Sequence, residues 1–279
     1  SGESSNTFGE LYLDPATSTA TGGTIHTGTS QTNAATNWFN LYLGSPIYNL
    51  TVDGETTAKN ARLRTFEATL NGSLYINGPE ASVFNPGAIN VNIGGDFVNS
   101  SSNSSNPYAA NSGQVLQFNG NQLSQSIQNN SGVLVRLENL IINNSNASGI
   151  VSLSGNRQFV VRQDLTVLNG EFKLDNQYIT HFGNVYNNSI ISSFGSGYIY
   201  FYNTTNQYIY GANDAEFGSL RIRGGKAVIS EISFTLNGQL YFYPTTSYLN
   251  MGNNMLTISP TGSVANYGDG RYILTNGAL

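Results

Sequence analysis

Three pairs of carboxylates lie close enough in sequence to be considered for acid–base chemistry: Asp53/Glu55, Asp164/Glu171 and Asp214/Glu216. Glycoside hydrolysis needs two carboxyl groups about 5 Å apart with retention and roughly 6.5–9.5 Å apart with inversion. Residues i and i+2 on a strand project to one face about 6.8 Å apart. Any solvent-exposed strand gives the same spacing, and the sequence contains no cluster of three acids. We therefore predict no catalytic residue and no enzymatic activity, and keep a polysaccharide-active enzyme, a lyase or glycoside hydrolase, as the alternative.

Metal chemistry has few candidate ligands in this chain. The only histidines are His26 and His181, and there is no cysteine. A zinc site takes three or four ligands from Cys, His and carboxylate side chains. Neither histidine has a carboxylate or hydroxyl partner at a suitable spacing, so we expect both to be solvated or to lie in turns. The prediction is no metal site and no cofactor, and disulfides are excluded.

Tyrosines form the most informative side-chain pattern. In the segments 198–202, 208–210 and 241–243 they alternate with Ile or Phe, so a strand would point them away from its apolar face. The predicted exposed tyrosine patch consists of Tyr198, Tyr200, Tyr202, Tyr208, Tyr210, Tyr241 and Tyr243. Two interpretations stay open: aromatic packing between neighbouring strands that stiffens the fold, or a binding surface for sugar rings or a partner protein.

A small group of cations lies close to the last of these segments. Arg221 and Arg223 flank an apolar Ile222, and Lys226 follows. The alternation points both arginines outward. We interpret the group as an ordinary solvated face, with anion binding as the second reading.

The elements that must position these residues are short strands. The motif Leu-Asn-Gly followed by an alternating strand occurs at 70–76, 168–174 and 236–242, and a shorter copy occurs at 9–13. Glycine permits the positive φ of a tight turn. In each copy the two apolar strand positions point one way and the polar ones the other. Such a recurring unit indicates a repeat architecture.

A longer and more degenerate repeat is superimposed on the short motif. The landmarks Leu50, Leu140 and Leu220 occupy similar strands 90 and 80 residues apart, and two further pairs of strands match at offsets of 84 and 82. We therefore predict one domain over residues 1–279 with super-repeats of about 80 residues. The run 99–107, rich in Ser and Asn, is predicted to be a polar protruding loop.

Composition limits the possible classes of protein. Charged residues make up only 10 %, whereas aromatic residues reach 11 %, which is typical of an all-β chain with amide and hydroxyl groups on its surface. The net charge of −5 argues against nucleic-acid binding. No apolar run reaches the roughly 18 residues of a membrane helix, so no membrane span is expected.

Two architectures fit many short strands with polar turns, a β-sandwich array and a parallel β-helix. Tight two-residue hairpin spacings are rare, Asn is frequent near turns, where stacked coils can align amides, and the repeats vary in length as solenoids tolerate. We predict a right-handed parallel β-helix of about a dozen coils. Its apolar positions would line a bore running along a rod near 60 Å long at about 4.8 Å per coil.

Several strand-and-turn motifs resemble repeat regions of very large surface proteins of Bacteroidota. They are Gly-Gly-Thr-Ile (22–25), Pro-Ile-Tyr-Asn-Leu-Thr-Val (46–52), Leu-Asn-Gly-x-Leu, and Glu-Asn-Leu-Ile-Ile-Asn-Asn (138–144). Those proteins are commonly exported by the type IX secretion system and include gliding and adhesion proteins. The resemblance implies a secreted, outer-membrane-associated structural or adhesive shaft. Its partners would be neighbouring modules, a surface glycan, or a partner protein of the secretion machinery or outer membrane.

Both ends of the chain read as ordinary rungs. The last residues, 272–279, alternate like an interior strand, and no amphipathic helix precedes 11–13. Open backbone edges invite pairing, and terminal solenoid repeats usually carry a cap. We therefore expect that another module or subunit covers at least the last rung, and that the isolated chain associates end to end.

Overall fold

A computed structural model describes residues 7–13, 20–27, 38–53, 60–64, 67–78, 82–102, 106–156, 158–202 and 205–276. Those residues form 33 strands and no helix, which confirms the all-β class. Among them no helix is long and apolar enough to cross a membrane.

The strands are short and follow one another closely. In chain order they are β1 Thr7–Leu13, β2 Thr24–His26, β3 Trp38–Leu43, β4 Asn49–Asp53, β5 Asn60–Leu63, β6 Ala68–Leu70, β7 Leu74–Asn77, β8 Val83–Gly87, β9 Val91–Ile93, β10 Phe97–Asn99, β11 Tyr108–Ala110, β12 Val115–Phe118, β13 Ser124–Asn129, β14 Val135–Leu137, β15 Asn139–Asn143, β16 Ile150–Gly155, β17 Phe159–Val161, β18 Leu165–Asn169, β19 Glu171–Asp175, β20 Tyr178–His181, β21 Val185–Asn187, β22 Ile190–Phe194, β23 Tyr198–Tyr202, β24 Gln207–Gly211, β25 Ala215–Phe217, β26 Leu220–Arg223, β27 Ala227–Ser230, β28 Phe234–Leu236, β29 Gln239–Phe242, β30 Ser247–Gly252, β31 Leu256–Ile258, β32 Ser263–Ala265 and β33 Arg271–Thr275.

These strands form four sheets, and every strand pairing within them is parallel. Sheet I contains β1, β3, β5, β8 and β11; sheet II contains β2, β4, β7, β10, β13, β16, β19, β22, β25, β28 and β31; sheet III contains β6, β9, β12, β15, β18, β21, β24, β27, β30 and β33; sheet IV contains β14, β17, β20, β23, β26, β29 and β32. From β14 onward the chain visits sheets IV, III and II in strict rotation, and sheet I holds the place of sheet IV in the earlier coils. The fold is therefore a parallel β-solenoid with three sides.

The eleven strands of sheet II correspond to about ten turns of the solenoid. At about 4.8 Å between neighbouring strands they span roughly 50 Å. A single apolar core fills the bore, and side chains of successive coils stack in columns along it. One column of sheet II, for example, runs Leu50, Leu74, Phe97, Ile127 and Leu153, all completely buried. The alternation read from the sequence thus gives the correct inward positions.

Coil length varies because extra residues are placed at the corners. Phe97 lies opposite Ile127, a step of 30 residues, whereas Phe172 lies opposite Ile191, a step of 19. The three landmarks of the proposed super-repeat lie on three different sides: Leu50 is in sheet II, Leu140 in sheet III and Leu220 in sheet IV. What repeats every 80 to 90 residues is therefore a strand with its turn and not a position in the coil.

The Asn-Gly motifs lie at corners of the coil, as predicted, but positive φ explains only one of the three glycines. Gly170 has a φ of 77°, whereas neither Gly72 nor Gly238 has a positive φ. At those two positions an added Cβ would lie 2.2 Å from Asn49 Oδ1 and 2.4 Å from Ser219 Oγ. There glycine is required because the chains of neighbouring coils approach too closely for a side chain.

The first residues of the segment predicted to protrude, 99–107, are instead part of the packed wall. Asn99 ends β10 and is completely buried, and its Nδ2 donates to Asn129 Oδ1 at 2.8 Å and to Ser131 Oγ at 2.8 Å. Ser101 is also buried and donates to the Ser82 carbonyl oxygen at 2.6 Å. Stacked amides between coils, expected from the abundance of Asn, therefore occur inside the wall. Residues 103–105 lie outside the described part of the chain.

The last described coil is the least covered. The strands β31, β32 and β33 each form the end of their sheet. Tyr272 and Leu274 are exposed, and Leu256, Val264 and Ile273 are only partly buried against the core. End-to-end association through this coil stays a prediction.

Candidate ligand-binding surface

The seven predicted tyrosines point outward, but they lie on two sides of the solenoid. Five of them belong to sheet IV or its border: Tyr198, Tyr200, Tyr202, Tyr241 and Tyr243. Tyr208 and Tyr210 belong to β24 of sheet III, where Tyr210 stacks on Tyr186 with ring centroids 4.9 Å apart. The intervening Ile199, Phe201, Ile209 and Phe242 are completely buried, as the alternation predicts. The predicted single patch is thus two patches, because β23 and β24 are consecutive strands on adjacent sides.

On sheet IV the two arginines of β26 are stacked between tyrosines. The Arg221 guanidinium lies 3.6 Å from the centroid of the Tyr198 ring and 5.6 Å from that of Tyr241. Arg223 lies 5.1 Å from the Tyr202 ring and 5.6 Å from that of Tyr243. Guanidinium groups favour such positions over aromatic faces. The expectation of an ordinary solvated face was wrong here: side chains from β23 and β29 reach over β26 from both neighbouring coils.

We call these seven residues the arginine–tyrosine surface: Tyr198, Tyr200, Tyr202, Arg221, Arg223, Tyr241 and Tyr243. Arg223 Nη1 also donates a hydrogen bond to Tyr200 Oη at 3.1 Å. This hydrogen bond raises the pKa of Arg223, and partial burial raises the pKa values of Tyr198 and Tyr200 above the usual value. At neutral pH the surface therefore carries two guanidinium cations and protonated hydroxyl groups.

Within the described residues neither arginine has a carboxylate within salt-bridge distance, and Arg221 makes no hydrogen bond. The seven strands of sheet IV contain Arg136, Arg221 and Arg223 and no Asp or Glu. The chain as a whole has 16 acidic and 11 basic residues. The electrostatic sign of this side is thus opposite to that of the whole chain.

A shallow groove continues the surface along sheet IV toward earlier coils. It has a volume of about 540 Å³ and lies over β14, β17 and β20. Its lining residues are Leu134, Arg136, Gln158, Val160, Arg162, Thr180 and Phe182. The ring of Phe182 meets that of Tyr202 edge-on at 5.5 Å, so the groove and the arginine–tyrosine surface are contiguous. Arg162 pairs with Glu138 at 3.1 Å at its edge.

A smaller hollow of about 200 Å³ opens beside Arg221. It is lined by Gly195, Ser196, Gly197, Tyr198, Ser219, Arg221 and Gln239. At Gly197 an added Cβ would lie 1.7 Å from the Leu174 carbonyl oxygen. Its rim therefore lacks side chains because the neighbouring coil leaves no room for them. The sequence gave no signal for this hollow, since its residues come from three coils.

The carboxylate pairs considered in the sequence are separated or incomplete. Asp164 accepts from the Asn184 amide at 2.9 Å at a corner between sheets IV and III, whereas Glu171 begins β19 of sheet II. Asp214 and Glu216 are both exposed, and Glu216 accepts from Asn237 Nδ2 at 2.8 Å. Glu55, the partner considered for Asp53, lies outside the described residues. Among the described residues no group of three or more His, Cys, Asp or Glu could hold a metal ion.

The two histidines differ in position. His26 is exposed in β2, as expected, but His181 is completely buried in the bore. Its ring meets the Phe201 ring edge-on at 5.9 Å, and neither ring nitrogen makes a hydrogen bond. Burial lowers the pKa of His181 to about 4, and the nearby backbone of Gly183 and Asn184 opposes this shift only in part. A solvated His181 was the wrong expectation, because alternation in β20 points it inward.

No family model, curated protein or solved structure matches this chain. The resemblance to Bacteroidota surface-protein repeats is thus a prediction from motifs alone. The functional argument rests on the solenoid and on the chemistry of its sides.

Proposed function

We propose that the chain is a non-enzymatic shaft module of a large secreted, surface-displayed bacterial protein, and that sheet IV provides its contact surface. The observation that carries the proposal is the continuous apolar core through about ten parallel coils. Each coil bonds only to its neighbours, so such a module holds two ends apart at a fixed distance. The proposal includes right-handed winding, the usual hand of parallel crossovers, and about a dozen coils in total.

The adhesive part of the proposal assigns contact to the arginine–tyrosine surface and the adjoining groove. Its partners would be a surface glycan or a partner protein of the secretion machinery or outer membrane, and neighbouring modules would continue the shaft. Export by the type IX system and an adhesin or gliding role follow from the motif resemblance and belong to the same proposal. Tyr208 and Tyr210 lie on sheet III, and we assign them to packing between coils.

Two measurements test the shaft and its location. Antibodies against the module should label intact cells of the source organism, and protease added outside should remove the label. Stretching the module in a single-molecule instrument should show high resistance followed by coil-by-coil unfolding. Labelling only after permeabilisation, or unfolding at negligible force, would refute the proposal.

A polysaccharide-active enzyme stays the second candidate because Asp214 and Glu216 are exposed and close in sequence. Asp214 also has a φ of 68°, and non-glycine residues in the left-handed region often mark functional sites. The test is to incubate the chain with uronic-acid and neutral glycans and to measure new reducing ends or unsaturated products. Turnover that disappears in Asp214→Asn or Glu216→Gln would establish the enzyme and overturn the structural reading.

A further inference from the structure

We propose that the arginine–tyrosine surface and the hollow beside Arg221 bind an acidic polysaccharide whose sugar units carry carboxylates. The inference deepens the contact role proposed above and rests on it, since that role left the ligand open between a glycan and a protein. It follows from three features: unpaired cations, the orientation of the rings, and the lining of the hollow.

The first feature is charge. Arg221 and Arg223 lie on one strand two residues apart, which places them about 6.8 Å apart on the same side. No described carboxylate neutralises either of them, although acidic residues outnumber basic ones in the chain. Planar guanidinium groups bind carboxylates through two parallel hydrogen bonds. An acidic polymer would supply the missing anions.

The second feature is that the ring faces are already used. Tyr198 stacks on Tyr178 on one side, with centroids 4.8 Å apart and planes 7° apart, and on Arg221 on the other. Its face is therefore closed to a neutral sugar ring, contrary to the platform considered from the sequence. What remains toward solvent are ring edges, tyrosine hydroxyls and guanidinium N–H groups. Such a surface offers hydrogen-bond donors and positive charge.

The third feature is the hollow itself. A volume of about 200 Å³ lies below the roughly 300 Å³ of ordinary small-molecule pockets, so it accommodates one sugar-sized group. The hydroxyls of Ser196 and Ser219 and the amide of Gln239 suit sugar hydroxyls, and Arg221 suits the carboxylate. An acidic peptide has a carboxylate but no ring of hydroxyls. This lining favours an acidic saccharide over an acidic protein segment.

The test compares ligands that differ only in charge. Polygalacturonate and its fully methyl-esterified form share one backbone, and their affinities for the whole chain can be measured by biolayer interferometry at 50 and 300 mM salt. We expect the acidic polymer to bind at least tenfold more tightly than the ester and to weaken with salt. Poly-glutamate and dextran sulfate test acidic peptides and sulfate groups, and both should bind more weakly than polygalacturonate.

The variants separate charge from stacking. Arg221→Gln and Arg223→Gln should each lower the affinity for polygalacturonate at least tenfold, whereas Arg221→Lys should stay within about threefold of the original chain because it retains the charge. Lys173→Gln is the matched control, since it removes one positive charge from sheet II and should leave binding unchanged. Circular dichroism of every variant checks that the solenoid is intact.

Each outcome decides the proposal. Equal binding of the ester and the acid, equal binding of poly-glutamate, or equal loss in Arg221→Gln and Arg221→Lys would overturn it, as would no binding to any polymer. Binding of neutral glycans alone would remove the acidic ligand but leave the shaft with a glycan contact. Failure of the cell-surface labelling would instead refute the proposed function, whatever the binding result.

Discussion

Replacing the buried His181 by Leu should stabilise the solenoid and remove a source of acid sensitivity. His181 belongs to a core column of sheet IV that is otherwise apolar, formed by Leu137, Val161, His181, Phe201, Ile222 and Phe242. Because neither ring nitrogen is hydrogen-bonded, the imidazole is buried without compensation. An unsatisfied buried polar group costs about 1–3 kcal/mol. Leu has a similar size and removes that cost.

The pH dependence follows from the lowered pKa. The unfolded chain takes up a proton at His181 near the usual pKa of 6.5, whereas the folded chain does so only near pH 4. The unfolded state thus binds more protons in this window, and the free energy of unfolding falls as the pH drops from about 6.5 to about 4. At 1.36 kcal/mol per pKa unit the loss is about 3 kcal/mol. His181→Leu should lack this loss.

Urea unfolding at pH 7.0, 5.5 and 4.5, followed by circular dichroism, measures the effect. Repeat proteins do not always unfold in one step. Amide hydrogen exchange of peptides from β20 and β23 therefore provides a local reading of the same free energy. We expect the difference between His181→Leu and the original chain to grow steadily as the pH falls.

The control is His26→Gln, which removes the other histidine from an exposed position. It should leave both the stability and its pH dependence unchanged. If His181→Leu showed the same slope between pH 7.0 and 4.5 as the original chain, the imidazole would not be the titrating group, and the reasoning would be refuted. A destabilised His181→Leu at pH 7.0 would show that the packing in this column depends on the ring.

Three further predictions concern packing, and urea unfolding checks each of them. Phe172→Ala should cost about 3–5 kcal/mol because it empties the bore, whereas Lys173→Ala on the outer side should change stability by less than about 0.5 kcal/mol; equal effects would contradict the inward assignment. Gly197→Ala should destabilise strongly because its Cβ has no room, but Gly132→Ala, with nothing within 4 Å, should not. Asn99→Ala should cost about 1–3 kcal/mol because it breaks two buried hydrogen bonds; an unchanged midpoint would show that the amide stack does not contribute.

The sequence predicts the class of fold and the inward positions because both depend on local alternation. Leu74 and Ile76, or Leu240 and Phe242, are each separated by one residue, and a strand places such residues on one face. His181 follows the same rule. It was missed because histidine is usually placed outside, although the pattern of Tyr178, Ile179, Thr180 and His181 already points it inward.

The assembly of strands into sides could not be predicted in the same way, because it depends on how many residues each corner uses. Steps of 19 and 30 residues occur within one sheet, so equal offsets in sequence do not give equal positions in the coil. This is why Leu50, Leu140 and Leu220 look alike but lie on different sides. It also explains why the tyrosines of β23 and β24 were read as one patch.

The arginine–tyrosine surface shows how a solenoid turns a local pattern into a site. A strand such as Leu220-Arg221-Ile222-Arg223 specifies only which side chains face outward. Their environment is set by the coils before and after, about 4.8 Å away, here those of β23 and β29. With acidic neighbours the two arginines would be neutralised; with tyrosines they are held in place while their charge stays available. Because that placement depends on the lengths of the intervening corners, inserting one residue between β23 and β26 would move the register and separate Arg221 from Tyr198.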